Sequence, residues 1–183
     1  MTVTIGCPEL LKSGLPLSKC YDSSGLPSIR MLNKDFKEFA ELLNSTGVEY
    51  MVVGGYALAA YGHPRYTGDL DIWIRRTPEN ARKVIEALKL FGFGGLGLSE
   101  QNFLVPDAVI QLGYPPARID LLTSIDGVDF DQCYANRIVT MLQGTALAFI
   151  GIEDFRSNKR ASGRHKDLAD LDSLDDSEKP RRA

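Results

Sequence analysis

The chain has 183 residues, 44% hydrophobic and 25% charged, which suits one soluble domain with its own core. Lys and Arg number 21 against 24 Asp and Glu, a net charge of −3. That excludes a general nucleic-acid-coating protein, which needs a dominant positive field, but leaves room for a local basic pocket. No apolar run approaches the ~18 residues of a membrane span, and the N-terminus lacks a basic segment followed by an apolar one. The expectation is a cytoplasmic protein with no membrane partner. Cys7, Cys20 and Cys133 are odd in number and fit neither a zinc site nor a disulfide framework, so they read as free thiols.

Residues 1–30 carry Pro8, Pro16, Pro27, Gly6, Gly14 and Gly25 with no helical or strand periodicity. They read as a poorly ordered extension or a non-native start, which places the working domain at 31–174. Asn33 caps a helix expected over 35–45, where Phe36, Phe39, Ala40 and Leu43 form one apolar face. Gly47 ends it. Residues 48–53 read as a buried strand, followed by Gly54-Gly55 and a short Ala-rich helix over 56–61. A loop over 63–68 leads to a strand over 69–74. Thr77 and Pro78 open a helix striped by Ala81, Val84, Ile85 and Leu88. Strands over 108–113 and 118–123 form a hairpin, a short helix covers 129–135, and strands over 138–142 and 147–150 form a second hairpin. Helices over 152–159 and 165–174 follow, and 175–183 reads as a polar tail. The order predicts an α/β (α+β) domain with a single mixed β-sheet and flanking helices, not a repeated βαβ array.

The chemistry gathers at Val52-Val53-Gly54-Gly55-Tyr56-Ala57 and Thr67-Gly68-Asp69-Leu70-Asp71-Ile72-Trp73. On a strand, Asp69 and Asp71 project from one face while Leu70 and Ile72 pack behind them. Adjacent carboxylates repel unless a positive charge stands between them, and a hard divalent cation such as Mg²⁺ fills that role with oxygen ligands. Asp120 is a third acid within an apolar strand, flanked by Ile119 and Leu121. If its strand pairs beside the first, the three acids meet and suit two metals about 4 Å apart, the arrangement of phosphoryl transfer. The structural alternative for Asp120 is an ion pair with Arg118 or Arg65. Gly54 and Gly55 let backbone approach a phosphate closely. Trp73 shares the acids' face by alternation and reads as core or pocket wall, with a contact to a ligand ring as the alternative. Lys159, Arg160, Arg164 and Lys166 concentrate positive charge around a Ser-Gly turn, with Arg65 on the loop before the acids.

On these residues the chain resembles the nucleotidyltransferase-fold superfamily, which includes DNA polymerase β, the minimal nucleotidyltransferases and the AbiEii-type toxin group. The family pattern is a Gly-Gly or Gly-Ser pair after a strand, an Asp-x-Asp or Asp-x-Glu strand, and a third acid on a later strand. Here it falls on Gly54, Gly55, Asp69, Asp71 and Asp120. The stretch from Asn158 to Leu171 looks like the closing motif of the AbiEii-like group. The second small position is Gly55, so the Ser hydroxyl of some members is missing.

The resemblance implies a transferase moving an NMP from an NTP, ATP among them, to an acceptor hydroxyl on RNA, protein or a small molecule. It implies Mg²⁺ or Mn²⁺ on Asp69, Asp71 and Asp120, all three catalytic, and nucleotide phosphates on Gly54, Gly55, Arg65, Lys159 and Lys166. A role in a toxin–antitoxin system also follows from it, and the shortness of the domain, with no recognisable acceptor-binding part, leads to the expectation of a cognate partner protein or a homodimer. The alternative is a nucleotide-binding, sensor or antitoxin module of the same fold with little turnover.

Overall fold

The computed structural model describes residues 2–5 and 32–178. Its elements are β1 (Thr2–Ile5), α1 (Lys34–Ser45), β2 (Tyr50–Val52), α2 (Gly54–Ala60), β3 (Asp69–Ile74), α3 (Pro78–Leu88), β4 (Val109–Leu112), β5 (Arg118–Leu122), α4 (Phe130–Ala135), β6 (Ile138–Leu142), β7 (Thr145–Phe149), α5 (Ile152–Ser162) and α6 (His165–Glu178). A π-helical turn at Lys89–Phe93 and a 3-10 turn at Glu100–Phe103 separate α3 from β4.

The described strands form one mixed sheet in the order β1-β4-β5-β3-β2-β7-β6. Parallel pairs (β1–β4, β3–β5, β2–β7) alternate with antiparallel ones (β4–β5, β2–β3, β6–β7). This is the expected α/β class, with a single mixed sheet and flanking helices. Among the described residues no helix is long and apolar enough to cross a membrane.

Local signals account for most boundaries. The Asn33 side chain accepts from the Asp35 N–H at 2.9 Å and caps α1. Thr77 caps α3, with Pro78 in its first turn. Gly163, at φ +62°, ends α5 in the left-handed conformation and frees the chain to turn into α6. Phe36, Phe39 and Leu43 of α1 are fully buried in a core shared with Val84 and Leu88 of α3 and Leu70, Ile72 and Ile74 of β3. β3 therefore has one wholly apolar face, and its opposite face is left to Asp69 and Asp71.

Several expectations are corrected. β2 is shorter than 48–53, and α2 begins at Gly54, so the glycine pair forms the first turn of the helix. The first thirty residues, expected to hold no strand, contain β1, which lies parallel to β4 with Thr2 opposite Val109. Four residues are too few to show a period, and the neighbouring strand supplies what the local sequence lacks. Residues 6–31, with Cys7 and Cys20, lie outside the described residues; Cys133 is free and buried. α6 runs past the expected end at 174 to Glu178, because Leu171 and Leu174 are buried and hold its later turns.

A buried side chain ties α3 to the segment leading into β2. Asn80 donates to the carbonyls of Glu49 (3.0 Å) and Arg75 (2.9 Å) and accepts from the Glu49 N–H at 2.8 Å. Asn80→Leu strands these backbone groups away from water. It is expected to cost about 2–3 kcal/mol in urea denaturation. A loss below ~0.5 kcal/mol would refute this role for Asn80.

Candidate functional site

The site is built by register. In the parallel β3–β5 pair, Asp69 stands opposite Arg118 and Asp71 opposite Asp120. Residues two apart on a strand share a face, so the four side chains form a block on the surface where both strands begin. β2 is antiparallel to β3, so its end delivers Gly54 to the same place. Ligand oxygens of Asp69, Asp71 and Asp120 lie within 4.8 Å of one another. The three acids thus converge in the way that would hold a divalent cation.

The glycine pair is shaped to the acids. A Cβ on Gly54 would sit 2.0 Å from Asp71 Oδ2, and the residue has φ +63°. Both the conformation and the space exclude a side chain. A Cβ on Gly55 would press on Thr67 at 3.0 Å. Thr67 Oγ1 in turn donates to Asp69 Oδ1 at 2.6 Å. The Val53 N–H donates to the Asp71 carbonyl at 3.0 Å and locks the start of α2 against β3.

Arg118 occupies the middle of the block. Its guanidinium donates to Asp69 Oδ2 at 2.8 Å and to Asp120 at 2.7 and 2.9 Å, while Gln111 Nε2 donates to Asp120 Oδ2 at 3.3 Å. The sequence reading left Arg118 and Arg65 open as partners of Asp120; the structure selects Arg118. Among the described residues no side chain donates a hydrogen bond to the Asp71 carboxylate. Burial, with the charges of Asp69 and Asp120, pushes that carboxyl up to about 7 against the opposing pull of Lys166 and Lys159. A metal at this spot relieves the same repulsion, so the donor set fits a hard cation.

The expected phosphate ligands divide into two groups. Lys159 is buried, and its ammonium is bound to Asp167 and, at 3.1 Å, to Asp170. Arg65 forms a two-point pair with Asp170 at 2.7 and 3.0 Å. Both line the cleft, and both are ion-paired to carboxylates of α6. Lys166 is exposed on the first turn of α6 and faces the same cleft, of about 510 Å³. Trp73 is buried and packs edge-on against Phe130 at 5.0 Å, so it belongs to the core and offers no ring to a base.

Sequence reasoning did not reach the roles of Thr67, Gln111, Asp167 and Asp170. Asp167 and Asp170 carried a signal: two acids three apart on a helix share a face and must find cations if that face is buried. Burial opposes ionisation of Asp167, but hydrogen bonds from Lys159, Ser162 and Arg164 outweigh it and hold its carboxyl down at about 2.

No family model and no curated protein matches the sequence. Among solved structures, the chain superposes on a Thermotoga maritima protein described as a "putative nucleotidyltransferase", with a TM-score of 0.52 and 15% identity. The match covers 81% of this chain and 98% of that chain. At this identity the likeness is one of fold, and it agrees with the nucleotidyltransferase fold implied by the sequence pattern.

Two outcomes follow from this geometry. Gly54→Ala forces φ +63° on a residue with a Cβ and displaces Asp71; it is expected to cost at least ~1–2 kcal/mol in denaturant melts. Wild-type stability would contradict the close approach. Asp167 has a folded pKa below its unfolded value, so its contribution is present above pH ~4 and is lost as pH falls from about 4 to about 2. The scale is about 2 kcal/mol. Asp167→Asn should remove that part of the acid limb in a stability-versus-pH series, and an unchanged limb would count against the assignment.

Proposed function

We propose that the chain is a metal-dependent nucleotidyltransferase, moving an NMP from an NTP to an acceptor hydroxyl. The observation that carries this reading is the convergence of Asp69, Asp71 and Asp120 at one mouth of a cleft, with Gly54 pressed onto Asp71. Asp69, Asp71 and Asp120 would hold Mg²⁺ or Mn²⁺, which when bound neutralises phosphate charge and makes the departure of pyrophosphate easier. Asp120 would also assist removal of the proton from the acceptor hydroxyl. Lys166 faces the triad from α6 and would bind the donor's phosphates, with Gly54 and Gly55 as the close floor. Asp170 holds Arg65, and Asp167 and Asp170 hold Lys159, so these cations act by fixing α6 over the cleft. Catalysis in this scheme is positioning and charge neutralisation.

The unit carrying the activity is 31–174, with β1 as an added edge strand. A placement near the AbiEii-type group, and a role in a toxin–antitoxin pair, rest on the resemblance of residues 158–171. A second reading, a nucleotide-binding or sensor module of the same fold with little turnover, is favoured by Arg118, which sits on two of the three acids.

Incubation with labelled NTPs, Mg²⁺ or Mn²⁺ and cellular RNA and protein distinguishes the two. Transfer is expected with pyrophosphate release, and Asp71→Asn should lower it about 100-fold or more with the fold intact by circular dichroism. Transfer at the wild-type rate in that variant would sink the mechanism. Thermal stabilisation by Mg²⁺ and NTP without pyrophosphate would favour the sensor.

A further inference from the structure

We propose that Arg118 is a resident counter-cation of the acidic cluster, holding Asp69 and Asp120 until a divalent cation displaces it, and thereby setting the site's threshold for metal. The inference rests on the metal-dependent reading above.

The hydrogen bonds make the case. Both oxygens of Asp69 are engaged, one by Thr67 and one by Arg118. Both oxygens of Asp120 are engaged, one by Arg118 and the other by Arg118 and Gln111. With Arg118 in place, a cation arriving at the cluster meets Asp71 with its partners already occupied. The block then holds three carboxylates against one guanidinium, so it remains net negative and still attracts a cation. A dication and a guanidinium sharing the same oxygens repel each other, and one must yield.

The guanidinium is the group free to yield. Arg118 is 23% exposed at the cleft wall on a long side chain, whereas the carboxylates are short and fixed by the strands. Its backbone position opposite Asp69 is set by the sheet, so every copy of the chain places the group there. The Asp120 side chain is 8% exposed and that of Asp69 32%, so the guanidinium neutralises charge that water reaches only in part. Exchange of a resident cation for an incoming one also keeps the acids preformed. The three carboxylates wait in binding geometry without the full cost of facing one another bare.

Arg118 is thus a positioning residue that acts through Asp69 and Asp120. The test is Mn²⁺ titration of the full chain by electron paramagnetic resonance, with melting curves in Mg²⁺ alone. Arg118→Gln is expected to bind Mn²⁺ about tenfold more tightly than the native chain, the scale of one charge-assisted pair. Its metal-free Tm should fall and Mg²⁺ should restore it. Arg118→Lys, which keeps a charge but loses the two-acid fork, should lie between the two and gives the same ordering if the Gln variant does not fold. In pyrophosphate release, the Mg²⁺ concentration for half-maximal rate should fall in both variants.

Equal or weaker Mn²⁺ binding by both variants, with binding intact in the native chain, overturns the proposal and leaves the metal-dependent reading standing. No Mn²⁺ binding by any of the three chains overturns both.

Discussion

The mutual repulsion of three carboxylates, forced together by the β3–β5 register, is the constraint on which the rest of the structure turns. Sheet pairing places Asp71 opposite Asp120 and leaves the chain no means of separating them. The fold answers with positive charge at two distances. Arg118 comes from the same strand as Asp120 and is brought within hydrogen-bonding reach by the same register. Lys166 and Lys159 act from farther away, across the cleft, through their charge on Asp71. The apolar side of the sheet makes this tenable. Leu70, Ile72 and Ile119 are buried behind the acids, so the strands cannot twist to send the carboxylates elsewhere without exposing the core.

The helices at the C-terminal end answer a second constraint, the burial of Asp167 and Asp170 on α6. Each needs cations, and the two share Lys159. Asp170 also takes Arg65 from the loop leading into β3, so one carboxylate links the last helix to the approach of the Asp strand. Removing Lys159 would leave two buried carboxylates short of a cation, which is far costlier than the pairs are stabilising. Basic residues near an acidic site are readily taken for ligands. Here Arg65 and Lys159 line the cleft and are also ion-paired to α6, which ties that helix to α5 and to the loop before β3.

The sequence disclosed what depends on local pattern. Asn33 and Thr77 cap their helices, the 3.6-residue stripe of α1 is buried, and the alternation in 69–74 puts acids on one face and aliphatics on the other. Those rules act over a few residues. The convergence of Asp120 with the Asp pair was conditional on strand pairing, which spacing alone does not fix. β1 was missed because four residues become a strand only through β4, far along the chain. The partners of Arg65 and Lys159 were missed for the same reason: the contacts span α5, α6 and the loop before β3. Trp73 shares the acids' face by alternation, and α4 covers its end of the strand through Phe130, which keeps it in the core as its apolar ring suggested.

The glycine pair shows how a familiar motif acquires a different physical meaning in place. In sequence, Gly54-Gly55 reads as backbone laid open to a phosphate. In the structure, each missing side chain makes room for part of the acidic cluster: Gly54 for Asp71 itself, Gly55 for the Thr67 that bonds Asp69. The two uses are compatible, because a backbone that approaches the acids this closely also brings any phosphate above it close to whatever the acids hold. The same geometry accounts for the pair's position at the first turn of α2, directly after β2. There the chain leaves the sheet beside Asp71, and the Val53 N–H bond to the Asp71 carbonyl fixes the spacing. A side chain at Gly54 would therefore disturb the acids before it obstructed any ligand.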